Sequence, residues 1–195
     1  MRAKHAPDPF VCYSSREKTK VTAFKFALGF GFAFALVLPL AASADPPGDP
    51  TAVTQDEQGL WHDKNGDPTY KIEPDGTVDW NTFSGFRRYN AACIVCHGPD
   101  GAGSSYAPAL ADSLKTMNYA EFFGTVVSGR KDLQNGNDLV MPAFADNKNV
   151  MCYLNDIYVY LRARSTGVVG RGRPDKHAPK SPAFAAAEDK CMGPG

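Results

Sequence analysis

Cys93-Ile94-Val95-Cys96-His97 is the run of residues in this chain with the most specific chemistry. A C-x-x-C-H run reads as a site of covalent c-type haem attachment. Two thiols on one turn of backbone can each add to one of the two vinyl groups of a haem. The histidine that follows is then held under the iron as its proximal ligand. A cysteine zinc site would want a second C-x-x-C or histidine pair at similar spacing, and the sequence holds none. A thioredoxin-like dithiol would sit in a βαβ pattern, which is also missing. One covalently attached haem c is therefore expected on Cys93, Cys96 and His97.

The iron's other axial position decides between a carrier and a catalyst. The candidates are Met117, Met141, Met151, Met192, His62 and His177. Met151 belongs to an apolar helical stripe, Met192 adjoins Cys191 near the terminus, and Met117 follows His97 too closely to cross easily to the far face. Met141 lies in the non-helical stretch Leu139-Val140-Met141-Pro142-Ala143-Phe144, where Pro142 stiffens the backbone just beyond the sulfur. Met141 is the expected sixth ligand. A thioether favours ferrous iron and raises the reduction potential, and a six-coordinate iron leaves no position for substrate. The expectation is an electron-transfer protein without catalytic residues. A haem peroxidase or gas sensor, the rival reading, needs an open or releasable distal site. Di-haem peroxidases also need a second C-x-x-C-H, absent from this sequence.

Haem is attached to such motifs outside the cytoplasm, and the N-terminus reads accordingly. A basic stretch (Arg2, Lys4, Arg16, Lys18, Lys20, Lys25) precedes an apolar run from Phe26 to Ala42 and the small-residue site Ala42-Ser43-Ala44. Gly29, Gly31 and Pro39 weaken the run as a permanent membrane helix. Residues 1–44 are expected to be a signal peptide cleaved after Ala44, delivering the protein to the periplasm without a membrane anchor. The whole chain balances 21 basic against 21 acidic residues. Six basic and two acidic leave with the signal, so the mature part carries a net −4, and nothing in that balance points to nucleic acid. Cys12 leaves as well. With Cys93 and Cys96 assigned to haem, Cys152 and Cys191 remain as a pair in an oxidising compartment, and a disulfide is expected.

These residues need elements to position them. Residues 45–58 read as a mobile leader, and turn signals at Asn65-Gly66 and Asp75-Gly76 around Tyr70–Ile72 and Val78–Trp80 predict a short hairpin in an extension spanning 45–80. Asp63-x-Asn65-x-Asp67 resembles the start of a calcium loop but lacks the glycine and glutamate placement of an EF-hand. From Asn81 the pattern is helical, with Gly85, Tyr89 and Cys93 on one face. A glycine there makes sense where another helix crosses closely. The expected partner is a helix over 149–164, striped by Met151, Leu154, Ile157, Tyr158 and Leu161 and stopped at Gly167. Asn118, with Glu121 three residues on, predicts a capped helix burying Phe122, Phe123, Val126 and Val127 and ending before Gly129. The haem domain is expected over 81–166. A tail over 167–195 would be tied back by the disulfide, its Arg171, Arg173, Lys176, His177 and Lys180 facing haem propionates, an acidic partner or only solvent.

The mature chain resembles a class I cytochrome c over nearly its whole length. Gly85-x-x-x-Tyr89-x-x-x-Cys93-x-x-Cys96-His97 is similar to that family's first helix and haem motif, Met141-Pro142-Ala143-Phe144 to its distal loop, and Asp156–Leu161 to its closing helix. The resemblance implies a small all-α fold with a haem-centred core. Ala107-Pro108-Ala109-Leu110 is similar to the proximal loop, which implies that the Pro108 carbonyl accepts the Nδ1–H of His97. His97 to Pro108, the Arg171-Gly172-Arg173-Pro174 tail and the four mature cysteines resemble the methanol-metabolism-related periplasmic c-type cytochromes. That likeness implies an electron acceptor for a quinoprotein (PQQ-dependent) methanol dehydrogenase. The protein would act as a monomer and pass electrons to a smaller cytochrome c or an oxidase. Service to another periplasmic dehydrogenase is the alternative.

Overall fold

Residues 47–132 and 139–193 are described by the computed structural model; the expected signal peptide lies outside them. Three two-residue strands open this part: β1 (Thr54–Gln55), β2 (Trp61–His62) and β3 (Pro68–Thr69), an antiparallel sheet in that order. Asp63 supports the Asn65-Gly66 turn between β2 and β3, its Oδ1 accepting from the backbone N–H of Asn65 (2.8 Å) and Asp67 (3.1 Å). The leader is partly ordered rather than mobile, since Pro50 and Gly48 carbonyls accept from Thr69 Oγ1 (2.6 Å) and Arg162 Nη2 (2.6 Å). The hairpin expected in the extension is present at the Asn65-Gly66 turn as β2 and β3, while Tyr70–Ile72 and Val78–Trp80 contribute one bridge, Ile72 to Val78. Val78 is claimed instead by the tail. Its N–H donates to Lys176 and its carbonyl accepts from Ala178.

Helices make up most of the rest. They are α1 (Trp80–Ala92), α2 (Ile94–His97), α3 (Leu110–Ser113), α4 (Tyr119–Ser128), α5 (Lys148–Met151), α6 (Leu154–Ser165) and α7 (Pro182–Met192). Between α4 and α5 a small ribbon pairs β4 (Arg130–Asp132) with β5 (Leu139–Met141). The long helix expected over 149–164 is two, broken at Cys152 and Tyr153. Tyr153 leaves helical geometry (φ −128°, ψ 17°), and Cys152 forms the disulfide to Cys191 on α7. That bridge spans 39 positions, enough to contribute about 3–4 kcal/mol by restricting the unfolded chain. It also shows that the tail contains a helix, capped by Ser181, whose side chain accepts from the Phe184 N–H.

The centre of the fold is the crossing of α1 and α6. Asp79 caps α1, its carboxylate accepting from the N–H (2.8 Å) and hydroxyl (2.7 Å) of Thr82. At Gly85 the helices touch backbone to backbone. A Cβ built there would stand 1.9 Å from the carbonyl oxygen of Asp156. Glycine is needed at that position for contact, not for conformation. Tyr89, Tyr160, Leu161 and Val159 are fully buried around the crossing. The same junction buries the Asp156 carboxylate, which accepts from Ser84 Oγ (2.6 Å) and Asn81 Nδ2 (2.8 Å). Its sequestration from water pushes its pKa up to about 7 in spite of those two donors.

Candidate haem-binding site

The attachment motif sits where α1 ends. Cys93 is the C-cap of α1, its N–H donating to the Tyr89 carbonyl (2.8 Å), and Cys96 and His97 lie on the single turn of α2. Cys93 is half-buried, Cys96 exposed and His97 buried, and both cysteines are free thiols. Burial pushes the Cys93 thiol up to about 11, so it stays protonated at neutral pH.

His97 is fixed from behind. Its Nδ1 lies 3.0 Å from the Pro108 carbonyl oxygen, which can only accept, so Nδ1 carries the proton. Nε2 is left as a lone-pair donor with no hydrogen bond among the described residues. The loop after His97 is tied down three ways. The Tyr89 hydroxyl donates to the Gly98 carbonyl (2.5 Å) and accepts from the Gly101 N–H (3.0 Å). Arg164 of α6 donates to the Asp100 carbonyl (3.3 Å). The Asp100 carboxylate accepts from Arg171 Nε (3.1 Å) and the Gly172 N–H (2.9 Å). Burial alone would raise the pKa of Asp100, but these two donors outweigh it and keep the carboxyl below the ordinary range.

Met141 ends β5, half-buried and packed against the core, as are Cys93, Ile94, Leu110, Met117 and Phe144. The stretch expected to be irregular is thus the return strand of a ribbon, with Arg130 directly across from Met141. The other axial candidates are placed differently. The His62 ring is held between Gly66 O (3.0 Å) and Asp56 Oδ2 (3.2 Å), and His177 stacks on Phe83 with ring centroids 3.7 Å apart. Met117 and Met151 pack against the core, and Met192 ends α7. The α4 helix has the expected capping box of Asn118 and Glu121 and buries Phe122 and Val126. Phe123 is 40% exposed rather than buried, and Val127 half-buried, because the helix's inner face is narrower than its apolar run.

A family described as cytochrome c oxidase, cbb3-type, subunit III matches residues 81–161. Cytochrome c-553I of Paracoccus denitrificans is 56% identical over 136 residues, 70% of this chain; the match spans 60% of that relative's length. Cytochrome c-555 of Methylococcus capsulatus is 37% identical over 100 residues, half of this chain (51%) and 75% of the relative. The chain belongs to the c-type cytochromes. Among solved structures, the c-type cytochrome XoxG from Methylobacterium extorquens AM1 matches with a TM-score of 0.67 and 54% identity, covering 73% of this chain and 86% of the other. This c-type cytochrome therefore carries covalently bound haem c on a helical cytochrome c fold.

The donor set suits that group. Two thiols and the Nε2 of His97 share one turn, and the half-buried thioether of Met141 packs against the same core. Sequence reasoning named Cys93, Cys96, His97, Pro108 and Met141, and the structure has the contact expected between His97 and Pro108. It missed the hydroxyl of Tyr89 and the Asp100 clasp. The one available signal was a tyrosine on an otherwise apolar buried face, where a buried hydroxyl requires a partner.

Proposed function

We propose that Cys93 and Cys96 hold the haem through thioether bonds, that His97 Nε2 and the Met141 sulfur are its axial ligands, and that the protein is a periplasmic single-electron carrier. When bound, the haem supplies a one-electron couple at its iron, and the chain's part is to hold and tune it. The observation that carries the reading is His97. Its Nδ1 is committed to Pro108, so Nε2 is presented in one tautomer and one orientation. With Met141 opposite, both axial positions are filled from the protein, and none is left for a substrate. The Pro108 hydrogen bond also makes the imidazole a better donor.

The electron source in this reading is a quinoprotein methanol dehydrogenase with PQQ, and the acceptor a smaller cytochrome c or an oxidase. Support comes from the resemblance of His97–Pro108 to the methanol-metabolism-related cytochromes and from the likeness to XoxG across 73% of the chain. Residues 1–44 act as a cleaved export signal, and the carrier works as a monomer. The decisive experiment is stopped-flow reduction of the purified holoprotein by PQQ-dependent methanol dehydrogenase, compared with other quinoprotein dehydrogenases. Fast, saturable reduction by the methanol enzyme is expected; equal or faster reduction by the others would reassign the donor. Met141→Ala tests the axial reading: the midpoint potential should fall and the ferrous protein should bind carbon monoxide, which the parent does not. An unchanged midpoint without carbon monoxide binding would remove Met141 as ligand.

A further inference from the structure

The basic tail was one expected partner for the haem carboxylates, but its cations are engaged elsewhere. Arg171 pairs with Asp100, Lys176 with Asp75 and Lys180 with Glu188, while Arg173 lies over the Phe83 ring at 5.0 Å. A different cation stands beside Met141. Arg130 and Met141 are opposed residues of the β4–β5 ribbon, and opposed residues of an antiparallel pair project from the same face. Both side chains therefore leave the ribbon on one side. Lys131, next in sequence, projects from the other.

Arg130 also lines a cavity of about 700 Å³ between the turn after α3, one side of α4 and the start of β4. Ser113, Thr116, Met117, Thr125 and Gly129 contribute to its wall, and neither Cys93 nor Cys96 does. Its charged lining is Arg130 and Glu121. The Glu121 carboxylate is spent on the Asn118 N–H (3.1 Å) as the capping box of α4. Arg130 has no ion-pair or hydrogen-bond partner among the described residues. A polar-walled cavity thus carries an unspent guanidinium on the same face as the sulfur proposed to bind iron. A haem has its two carboxylates on the side of the porphyrin away from its vinyl groups. A carboxylate drawn into a protein needs a paired cation, and a guanidinium meets it with two hydrogen bonds.

We infer that Arg130 binds a haem propionate, so that one ribbon supplies both a ligand to the iron and the counter-charge to the porphyrin's carboxylate. This rests on the Met141 reading above. Removing the guanidinium would leave a negative charge uncompensated near the iron, which favours ferric over ferrous. The test is the midpoint potential of the holoprotein in Arg130→Gln, Arg130→Lys and Lys131→Gln. Arg130→Gln should lower the potential, Arg130→Lys should recover most of the loss, and Lys131→Gln, which removes a neighbouring charge from the opposite face, should leave the potential near that of the parent. Equal shifts in Arg130→Gln and Lys131→Gln, or none in Arg130→Gln, would overturn the assignment. The ferric sulfur-to-iron charge-transfer band tells the two readings apart. Its retention in an Arg130→Gln protein of unchanged potential sinks the Arg130 assignment alone. Its absence from the parent sinks the Met141 reading and this inference together.

Discussion

The two sides of the proposed haem site are built in different ways. The histidine side belongs to the α1–α6 crossing, where Gly85 meets Asp156 backbone to backbone and Tyr89, Arg164 and Asp100 hold the loop behind His97. The methionine side is a three-residue ribbon pair. Among the described residues its ties to the body are a Phe144 N–H to Val126 O hydrogen bond (3.0 Å), the close pass of Gly129 beneath Met141 and Ala143, and the half-buried side chains of Met141 and Phe144. One side is over-determined by buried contacts; the other hangs on backbone geometry at a few positions. The contrast teaches that attachment and tuning are separable. Damage at the crossing should cost folding, and damage at the ribbon should cost ligation.

The sharpest attempt to break this comparison is Gly85→Ala. The new methyl would overlap the Asp156 carbonyl, a backbone atom that cannot swing away, so the helices must part. A loss of about 3 kcal/mol is expected from the denaturation midpoint. A loss under about 1 kcal/mol would mean the crossing yields easily. Gly129→Ala is the matching test of the ribbon. Gly129 has φ +71°, and a Cβ there would lie 2.6 Å from the Met141 carbonyl. Stability should fall by only about 1–2 kcal/mol, while carbon monoxide gains access to the ferrous iron. Intact ligation in that variant would show that the ribbon is held more firmly than its few contacts imply.

The subtlest test is a change of slope with pH. Asp156 has its pKa raised from 3.8 to about 7 by burial. Between those values the unfolded chain gives up a proton that the folded chain keeps. The stability from this group is therefore whole below about pH 4 and drains away as the pH rises to about 7. In Asp156→Asn the melting temperature should vary less over that window than in the parent. An unchanged slope would mean that another buried acid governs it, and Asp79, buried and also raised, is the first to examine.

How much of this was legible beforehand depended on range. Spacing within one or two turns named Cys93, Cys96 and His97 and the Asn118–Glu121 cap, since each needs only neighbours along the chain, and a glycine on an otherwise apolar helix face pointed to the close approach at Gly85. Cysteine count paired Cys152 with Cys191. The break at Cys152–Tyr153 was hidden because the apolar stripe runs through it. The Asn65-Gly66 turn announced the hairpin of β2 and β3, but β1 and the β4–β5 ribbon were hidden because pieces of two or three residues carry too little periodicity to read. Only the folded chain decided which partner each charge would have: Asp100 for Arg171, Asp75 for Lys176, Glu188 for Lys180, and none among the described residues for Arg130. Residue types determine what chemistry a chain can hold. Which groups are spent on one another is settled by contacts between residues as many as 114 positions apart, and the order of letters alone does not display them.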